Sequence, residues 1–365
     1  RQDQPLLDRG ILLLRDAIET FEFTGLASEP TLSLNRHFSA PVDLQYAQAD
    51  VMNLMRYDDD GFVRFEAAQT FAASTLQEMM RGENVNSQFL ESFGHILNDE
   101  TLDLQFKAQL LSLPTVTMLM QLQTPIDVRP ILEARENLNH AIAMRLKEPM
   151  RRLYRKLHRP QHEALDGVSM GERALKNRLL GYLMVRQDAK SIECALSQYR
   201  ESLTMTDRIA ALKLLESAAP EAAQAAMRDF YAAYSSDMLV MTKYFSVIAA
   251  SPRPGVLERV KAAMEDPAFD IKVPNLVRAL IGAFARNPHH FHAHDGSGYD
   301  FIGEQIIALD AINPMIAAGL AGAFKTYNRM NDRSRGQMQH SLERVMAHEG
   351  ISKNVYEIVE KILAG

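Results

Sequence analysis

The sequence predicts a mainly α-helical protein, in which a solenoid-like bundle of antiparallel helices follows a few β-strands of an incomplete β-sandwich. From about residue 50 to the end, apolar residues recur at the spacing of a helix with one buried face. Before that point they alternate with polar residues, as in a half-buried strand. The 365 residues exceed what one compact core usually holds, so we expect two domains or an extended repeat.

The predicted strands occupy three short runs near the start of the chain, "ETFEFTG", "TLSLNRHF" and "PVDLQYAQ". Gly25 and Pro30 separate the first two runs, as expected for turns. Three strands are too few to form a stable sheet alone. This segment is therefore interpreted as the end of a β-sandwich whose other strands are missing.

The helical part begins with a long amphipathic run, "FEAAQTFAASTLQEMMR". Its apolar positions form one stripe along the predicted helix; they are Phe65, Ala68, Ala72, Leu76 and Met79. Pro149 should break a later long run at residues 131–158, because proline cannot continue a helix interior. Ser169, with Glu172 three positions further on, has the pattern of a capping box.

The remaining helical runs are mostly short and are separated by brief breaks rich in Pro, Gly, Asn or Ser. Alanine is frequent at their apolar positions, which allows neighbouring helices to approach closely. Consecutive short antiparallel helices indicate stacked helical pairs. The sequence therefore predicts a solenoid-like bundle in this part of the chain.

Composition excludes several classes of function. Hydrophobic residues make up 47% of the chain and charged residues 24%, with a net charge of −6, so no basic excess indicates a nucleic-acid partner. No apolar run is long enough for a membrane span. The single cysteine, Cys194, fits a reducing compartment, and we expect a cytoplasmic protein. The chain begins at Arg1, so we expect a piece of a longer or processed protein.

Two partial matches to metal motifs fail at a ligand position. A catalytic zinc helix often carries His-Glu-x-x-His, because residues four apart share a helix face. The stretches "HEALD" and "HEGIS" place Asp166 and Ser352 where the second histidine would stand. The stretch "YDDDGFVRFE" resembles a calcium loop, but Arg56 and Ala67 occupy positions that need acidic ligands. No metal site is predicted from these motifs.

The stretch "NPHHFHAHDGSGYDF" at residues 287–301 permits three interpretations. Its four histidines and one aspartate could bind a metal, and its glycines could form a phosphate loop. A phosphate loop would follow a strand, whereas the preceding "LVRALIGAFAR" has a helical pattern. The third interpretation is a shaped connection, with Asn-Pro ending one helix and Asp-Gly-Ser-Gly forming the turn.

Several motifs, taken in order, resemble one enzyme family. They are "FSAPV", "FVRFEAAQT" at the start of the first helix, "MTDRIAAL", "LVMTKYF" and "VRALIGAFARNPHHFHAHDGSGYDF". Together they resemble the C-terminal region of bacterial aminopeptidase N, of the zinc metalloaminopeptidase (alanyl aminopeptidase) family. The likeness covers essentially the whole chain, and "FSAPV" and the "NP..FH..DGSGY.F" block are its most specific parts. The resemblance implies that residues 1–43 are the terminal strands of a small β-sandwich domain and that residues 44–365 form an armadillo/HEAT-like helical domain.

The resemblance implies a non-catalytic role for this chain. In that family the zinc motif, and the segment that grips the substrate's free amine, lie in a catalytic domain whose motifs are absent from this sequence. We therefore expect no catalytic residue and no metal or cofactor in this chain, with zinc in the parent enzyme. The expected partners are the catalytic domain of the same polypeptide and peptide substrates, and the helical domain would cap the active-site chamber and control peptide access.

The resemblance also assigns individual residues. Arg278 resembles a family arginine on the chamber face, where it could hold a peptide carboxylate. A second family arginine is replaced by Gly319, which puts a two-arginine gate in doubt. In the histidine-rich stretch, the residues that match the family block form a structural turn; they are His292, Asp295, Gly296, Gly298 and Tyr299.

One alternative stays open from the sequence. The chain could be a stand-alone helical scaffold that binds a protein partner. Its binding surface would then be an inner groove or the basic helical segment at residues 145–159, which carries seven Lys and Arg residues.

Overall fold

A computed structural model describes residues 10–162 and 164–365 of the chain. Its α-helices are α1 Gln48–Tyr57, α2 Gly61–Met80, α3 Ser87–Asn98, α4 Leu104–Leu110, α5 Val116–Gln121, α6 Val128–Arg145, α7 Lys147–Leu157, α8 Gly167–Met184, α9 Ala189–Glu201, α10 Met205–Ala218, α11 Pro220–Tyr234, α12 Met238–Ala249, α13 Val256–Met264, α14 Pro274–Ala285, α15 Pro288–Phe291, α16 Ser297–Asp310, α17 Pro314–Ala321, α18 Asp332–Met346 and α19 Lys353–Ala364. The mainly helical class predicted from the sequence is confirmed.

The predicted strands do not pair in the structure. Residues 11–47 have no regular secondary structure apart from bends and a short 3₁₀ turn at Arg36–Phe38, and no β-ladder forms in this described segment. Phe21, Leu32 and Val42, which should lie on the buried face, are exposed. A strand needs a neighbouring strand for its backbone hydrogen bonds. Among the described residues, no strand lies beside these three runs.

Two helix starts differ from the sequence predictions. The run "FVRFEAAQT" lies in α2, not in the first helix, because α1 precedes it. The cap of α8 is Asp166, whose carboxylate accepts a hydrogen bond from the Ser169 backbone N–H at 3.0 Å. The capping box predicted at Ser169 is therefore wrong. Asp166 takes the N-cap position because α8 begins at Gly167, three residues before the first helical residue that a Ser169 cap would give. The positive helix N-terminus also stabilises the Asp166 carboxylate.

The predicted break at Pro149 is confirmed, but it lies three residues earlier. Helix α6 ends at Arg145, Leu146 leaves helical geometry with φ −116°, and α7 begins at Lys147. A proline ring clashes with the carbonyl four residues before it, which here belongs to Arg145. In α7 one face is buried, including Met150 and Tyr154, and most of the basic side chains point outward.

From α8 onward the helices form two layers. Helices α8, α10, α12 and α14 pack side by side in one layer, and α9, α11 and α13 lie behind them. Buried alanines such as Ala211 and Ala249 allow this close approach. Between α8 and α10 a buried ion pair joins Lys176 Nζ to Asp207 Oδ2 at 2.5 Å. These contacts make a stacked helical repeat with one continuous apolar core.

The two ends of the helical stack meet. Arg329, just before α18, donates hydrogen bonds to the carbonyl oxygens of Gln121 and Gln123, each at 2.8 Å. Beside it, Ile126 and Met330 form an isolated parallel β-bridge. More than two hundred residues separate these partners in sequence. The helices therefore close into a ring, with the junction between the start of α6 and the start of α18.

Candidate functional site

The layer of α8, α10, α12 and α14 faces the inside of the ring. These helices contact one another in succession, whereas α9, α11 and α13 contact one another less. A curved double layer is compressed on its concave side, so the closely packed layer is the inner one. Burial and the nearby charge of Arg178 in α8 lower the pKa of Arg135 in α6. Burial, His290 and Arg135 lower the pKa of His289, so α6 lies near both α8 and the segment after α14.

Arg278 lies on this inner face. Its side chain is exposed in the middle of α14, and its Nη1 contacts Asn275 Oδ1 at 3.2 Å on the same helix. Arg286, two turns further on, lies back along the helix over Gly282 and donates to the Arg278 carbonyl oxygen at 3.3 Å. Neither arginine forms an ion pair with any described residue. The inner face of α14 therefore carries two positive charges that can meet an anion.

The histidine-rich stretch connects α14 to α16 through the single-turn helix α15. Asn287 begins this connection, and its side-chain amide donates to the carbonyl oxygens of Ala249 and Ser251 at 2.9 and 2.7 Å. Its Oδ1 accepts from the His289 backbone N–H and caps α15. The buried asparagine thus fixes the end of α14 against the end of α12.

His292 and Tyr299 hold the second half of the connection. His292 Nδ1 and Tyr299 Oη are 2.8 Å apart, and both rings pack against Phe291. Burial lowers the pKa of His292 to about 4 and raises the pKa of Tyr299 to about 12. Both groups are therefore neutral at pH 7, and they act as a hydrogen-bonded pair next to an aromatic cluster that also contains Phe324.

The turn itself depends on Asp295 and two glycines. Asp295 Oδ1 accepts from the backbone N–H of Ser297 at 3.0 Å and from its hydroxyl at 2.7 Å, and these bonds lower the pKa of Asp295. Gly296 has φ +79°, the left-handed region that favours glycine. A Cβ on Gly298 would lie 2.1 Å from the His290 carbonyl oxygen. Only glycine fits at that position.

The four histidines do not converge on a common point. His292 pairs with Tyr299, His294 contacts Arg333 of α18, and His290 stacks on Phe284. Within residues 10–162 and 164–365, no group of three or more His, Cys, Asp or Glu side chains is arranged to hold a metal ion. Glu163 of the "HEALD" stretch lies outside the described residues.

A cavity of about 280 Å³ lies at the ring junction, between α6, the histidine-rich connection and α18. Its lining is mixed in charge, with Asp127 and Arg129 from one side and Arg333 from the other. Arg129 is already paired with Glu133 at 2.8 Å. No sequence pattern predicts this junction, because Arg329 contacts residues 121–124, which lie about two hundred residues earlier in the chain.

The fold and this inner surface define a two-layered helical repeat protein closed into a ring. Residues 48–364 match the profile of a domain of unknown function, DUF3458_C, described as ARM repeats. Residues 1–47 match the companion profile DUF3458, described as an Ig-like fold. The chain belongs to this family.

Its relatives are bacterial aminopeptidases. The chain is 33% identical over 364 residues to aminopeptidase N of Caulobacter vibrioides and 31% identical over 363 residues to aminopeptidase N of Escherichia coli. These alignments cover 98% and 97% of the chain but 42% of each relative. A crystal structure of Legionella pneumophila aminopeptidase A in complex with aspartic acid superposes with a TM-score of 0.86 at 29% identity, over 94% of this chain and 42% of that one.

These comparisons confirm the resemblance to the C-terminal region of bacterial aminopeptidase N. The chain spans less than half the length of the relatives that it matches. In the described residues, no helix is long and apolar enough to cross a membrane.

Proposed function

We propose that this chain is the non-catalytic C-terminal part of a zinc-dependent aminopeptidase, which removes N-terminal amino acids from peptides. In this proposal the helical ring caps the active-site chamber and controls which peptides enter it. The observation that carries the proposal is the match of the whole chain to less than half of each aminopeptidase N relative, together with a closed ring that leaves an accessible inner face. The catalytic domain and its zinc would belong to the rest of a cytoplasmic polypeptide.

The chain by itself should not hydrolyse peptides. The purified chain is assayed with an alanyl chromogenic substrate, with and without added zinc, beside an intact bacterial aminopeptidase N as a positive control. The expected result is no turnover, because the sequence contains no complete His-Glu-x-x-His motif. Zinc-dependent turnover by the chain would contradict the proposal. A start codon directly before Arg1 in the gene would favour the stand-alone scaffold instead.

Arg278 is the residue proposed to contact peptides from the chamber wall. Its guanidinium can bind a carboxylate of a downstream residue through two hydrogen bonds. In the complete enzyme, Arg278→Ala should raise KM for peptides several-fold and leave kcat nearly unchanged, because such a contact is equally strong in the ground and transition states. Arg278→Lys should recover part of the effect.

The control for Arg278 is a single-residue substrate, which has no downstream carboxylate to reach the ring. Its kinetics should be the same in the wild type and both variants. A second control is Arg228→Ala, which removes an exposed arginine from α11 in the outer layer. Unchanged KM for peptides in Arg278→Ala would refute this role of the residue.

A further inference from the structure

The four inner-layer helices share one surface feature. Beyond the first turn, each of the helices α8, α10, α12 and α14 has one exposed side chain, and that side chain is always a cation. These side chains are Arg178 in α8, Lys213 in α10, Lys243 in α12 and Arg278 in α14. We call these four residues the cation row.

The four cations stand at similar distances from the ends of their helices. Each stands five to seven residues before the last residue of its helix. Neighbouring packed helices are about 10 Å apart, so successive members of the row are separated by about that distance. An extended peptide covers the same distance in about three residues.

Within these four helices, no exposed carboxylate offsets this charge. The acidic residues within the four helices number three, and each has a partner elsewhere: Glu172 with Arg159, Asp207 with Lys176, and Glu216 with Arg253 and Arg259. Asp207 and Glu216 are also buried. None of the cations in the row forms an ion pair with a described residue. In contrast, the outer helices α9, α11 and α13 carry charges of both signs.

We infer that the inner surface binds acidic peptides, with the cation row contacting carboxylates spaced about three residues apart. This inference rests on the proposed function, in which the inner face meets the downstream part of a peptide, and it adds the preferred substrate class. Several positive charges on one concave surface attract an anionic peptide over a longer distance than a single ion pair does. The attraction should weaken as salt screens it, since the screening length is about 8 Å at physiological ionic strength.

The test measures binding by this chain directly. Isothermal titration calorimetry uses an unlabelled peptide of about twelve residues, enough to span the row, with glutamate at every third position of an alanine–glycine sequence. The comparison peptide has glutamine at the same positions. The glutamate peptide should bind about tenfold more tightly at low salt, and this advantage should disappear as salt rises from about 0.05 to 0.5 M.

The matched variants remove three charges from either layer. Arg178→Gln/Lys213→Gln/Lys243→Gln should abolish the preference for glutamate. A control variant should keep the preference for glutamate. It replaces exposed cations of α9 and α11, and its substitutions are Lys190→Gln, Arg200→Gln and Arg228→Gln. All six side chains are exposed, so folding should be retained, and the three single inner variants replace the triple variant if it does not fold.

Equal affinity for both peptides, binding of neither, or equal losses in the two triple variants would overturn the inference. Because Arg278 stays intact and no turnover is measured, the result is independent of the kinetic test of the proposed function. If Arg278→Ala leaves the kinetics of the enzyme unchanged but the glutamate preference is found, binding of acidic peptides by the cation row is still supported. A failed calorimetric test would leave the chamber role of the ring untouched.

Discussion

At the scale of single residues, Gly298 is the position where the fold tolerates least change. The missing Cβ leaves room for the carbonyl oxygens of His290 and Phe291, which a methyl group would approach at 2.1 and 2.5 Å. Both atoms belong to the backbone of α15, which is held by Asn287 and cannot yield as a flexible side chain could. The preference for glycine is therefore steric and owes nothing to ligand binding.

Gly298→Ala should destabilise the chain by about 3 kcal/mol or more, because the clash forces backbone to move. Gly319→Ala is the matched control, since a Cβ there meets nothing within 4 Å and alanine is the better helix former. The control should be neutral or stabilising by about 0.5 kcal/mol. Urea unfolding of both variants measures the difference, and similar stabilities would contradict the steric account.

His292 makes the stability of the chain depend on pH. Its folded-state pKa of about 4 lies below the ordinary value of 6.5, so the unfolded chain binds the proton more readily. The stabilising contribution is therefore complete above pH 6.5 and is lost as pH falls towards 4. Because part of the His292 side chain reaches solvent, we expect the free energy of unfolding to fall by about 2 kcal/mol. This is less than the full pKa shift implies.

Melting temperatures between pH 7 and pH 4 test this expectation. His292→Gln should lower Tm at pH 7, because the contact with Tyr299 changes, and should flatten the fall of Tm with decreasing pH. His340→Gln removes an exposed histidine of α18 and should change neither value. If His292→Gln melts like the wild type at pH 7, the hydrogen bond to Tyr299 contributes no stability.

At the scale of helices, a buried polar network joins α8, α9 and α10. Lys176 and Asp207 are almost fully buried, and Asp207 also accepts a hydrogen bond from Asn177 at 2.9 Å. Gln198 of α9 donates to Asn177 and to the Asp207 carbonyl oxygen. Burial lowers the pKa of Lys176, and the bond to Asp207 opposes this shift. The network fixes which helix faces meet, which apolar contacts alone specify poorly.

Asp207→Asn should cost about 3–5 kcal/mol, because it leaves the Lys176 ammonium buried without a carboxylate. The double variant Lys176→Met/Asp207→Leu should recover most of that loss, since neither charge then remains in the core. Chemical denaturation of the wild type and both variants provides the comparison. A double variant no more stable than Asp207→Asn would show that packing, and not the unpaired charge, causes the loss.

At the scale of the whole molecule, the ring is closed by few contacts. Arg329 donates to two carbonyl oxygens, one at the end of α5 and one in the loop that follows it. The Ile126–Met330 bridge adds two backbone hydrogen bonds, from the Ile126 N–H to the Arg329 carbonyl and from the Asn331 N–H to the Ile126 carbonyl. Adjacent helices elsewhere share extensive apolar surfaces. We therefore expect the junction to open locally without unfolding of the helices on either side.

Arg329→Ala should increase amide hydrogen exchange in residues 121–127 and 326–331 while leaving α8, α10 and α12 protected. The lost hydrogen bonds amount to about 1–3 kcal/mol of local opening free energy, so exchange at the junction should rise at least several-fold. Arg335→Ala is the control, because this exposed arginine contacts only Asp332 on its own helix. Faster exchange throughout the inner layer would mean that the junction supports the whole fold.

The sequence by itself determined the helical class, the stacking of short helices, the break before Pro149 and the family resemblance. These follow from local periodicity, from backbone chemistry and from motifs that can be read in order along the chain. It also singled out Asn287, Gly298 and Tyr299, because turn chemistry leaves a signature in a few adjacent residues.

Only the tertiary structure decided which faces of the helices point inward and where the stack closes. Arg178, Lys213 and Lys243 are ordinary helix cations in the sequence, and their alignment depends on the offsets between four helices packed side by side. The contacts of Arg329 join segments about two hundred residues apart, a distance over which no local pattern extends. The predicted strands remained unpaired for the same reason, since alternation predicts a strand but only a neighbouring strand completes it.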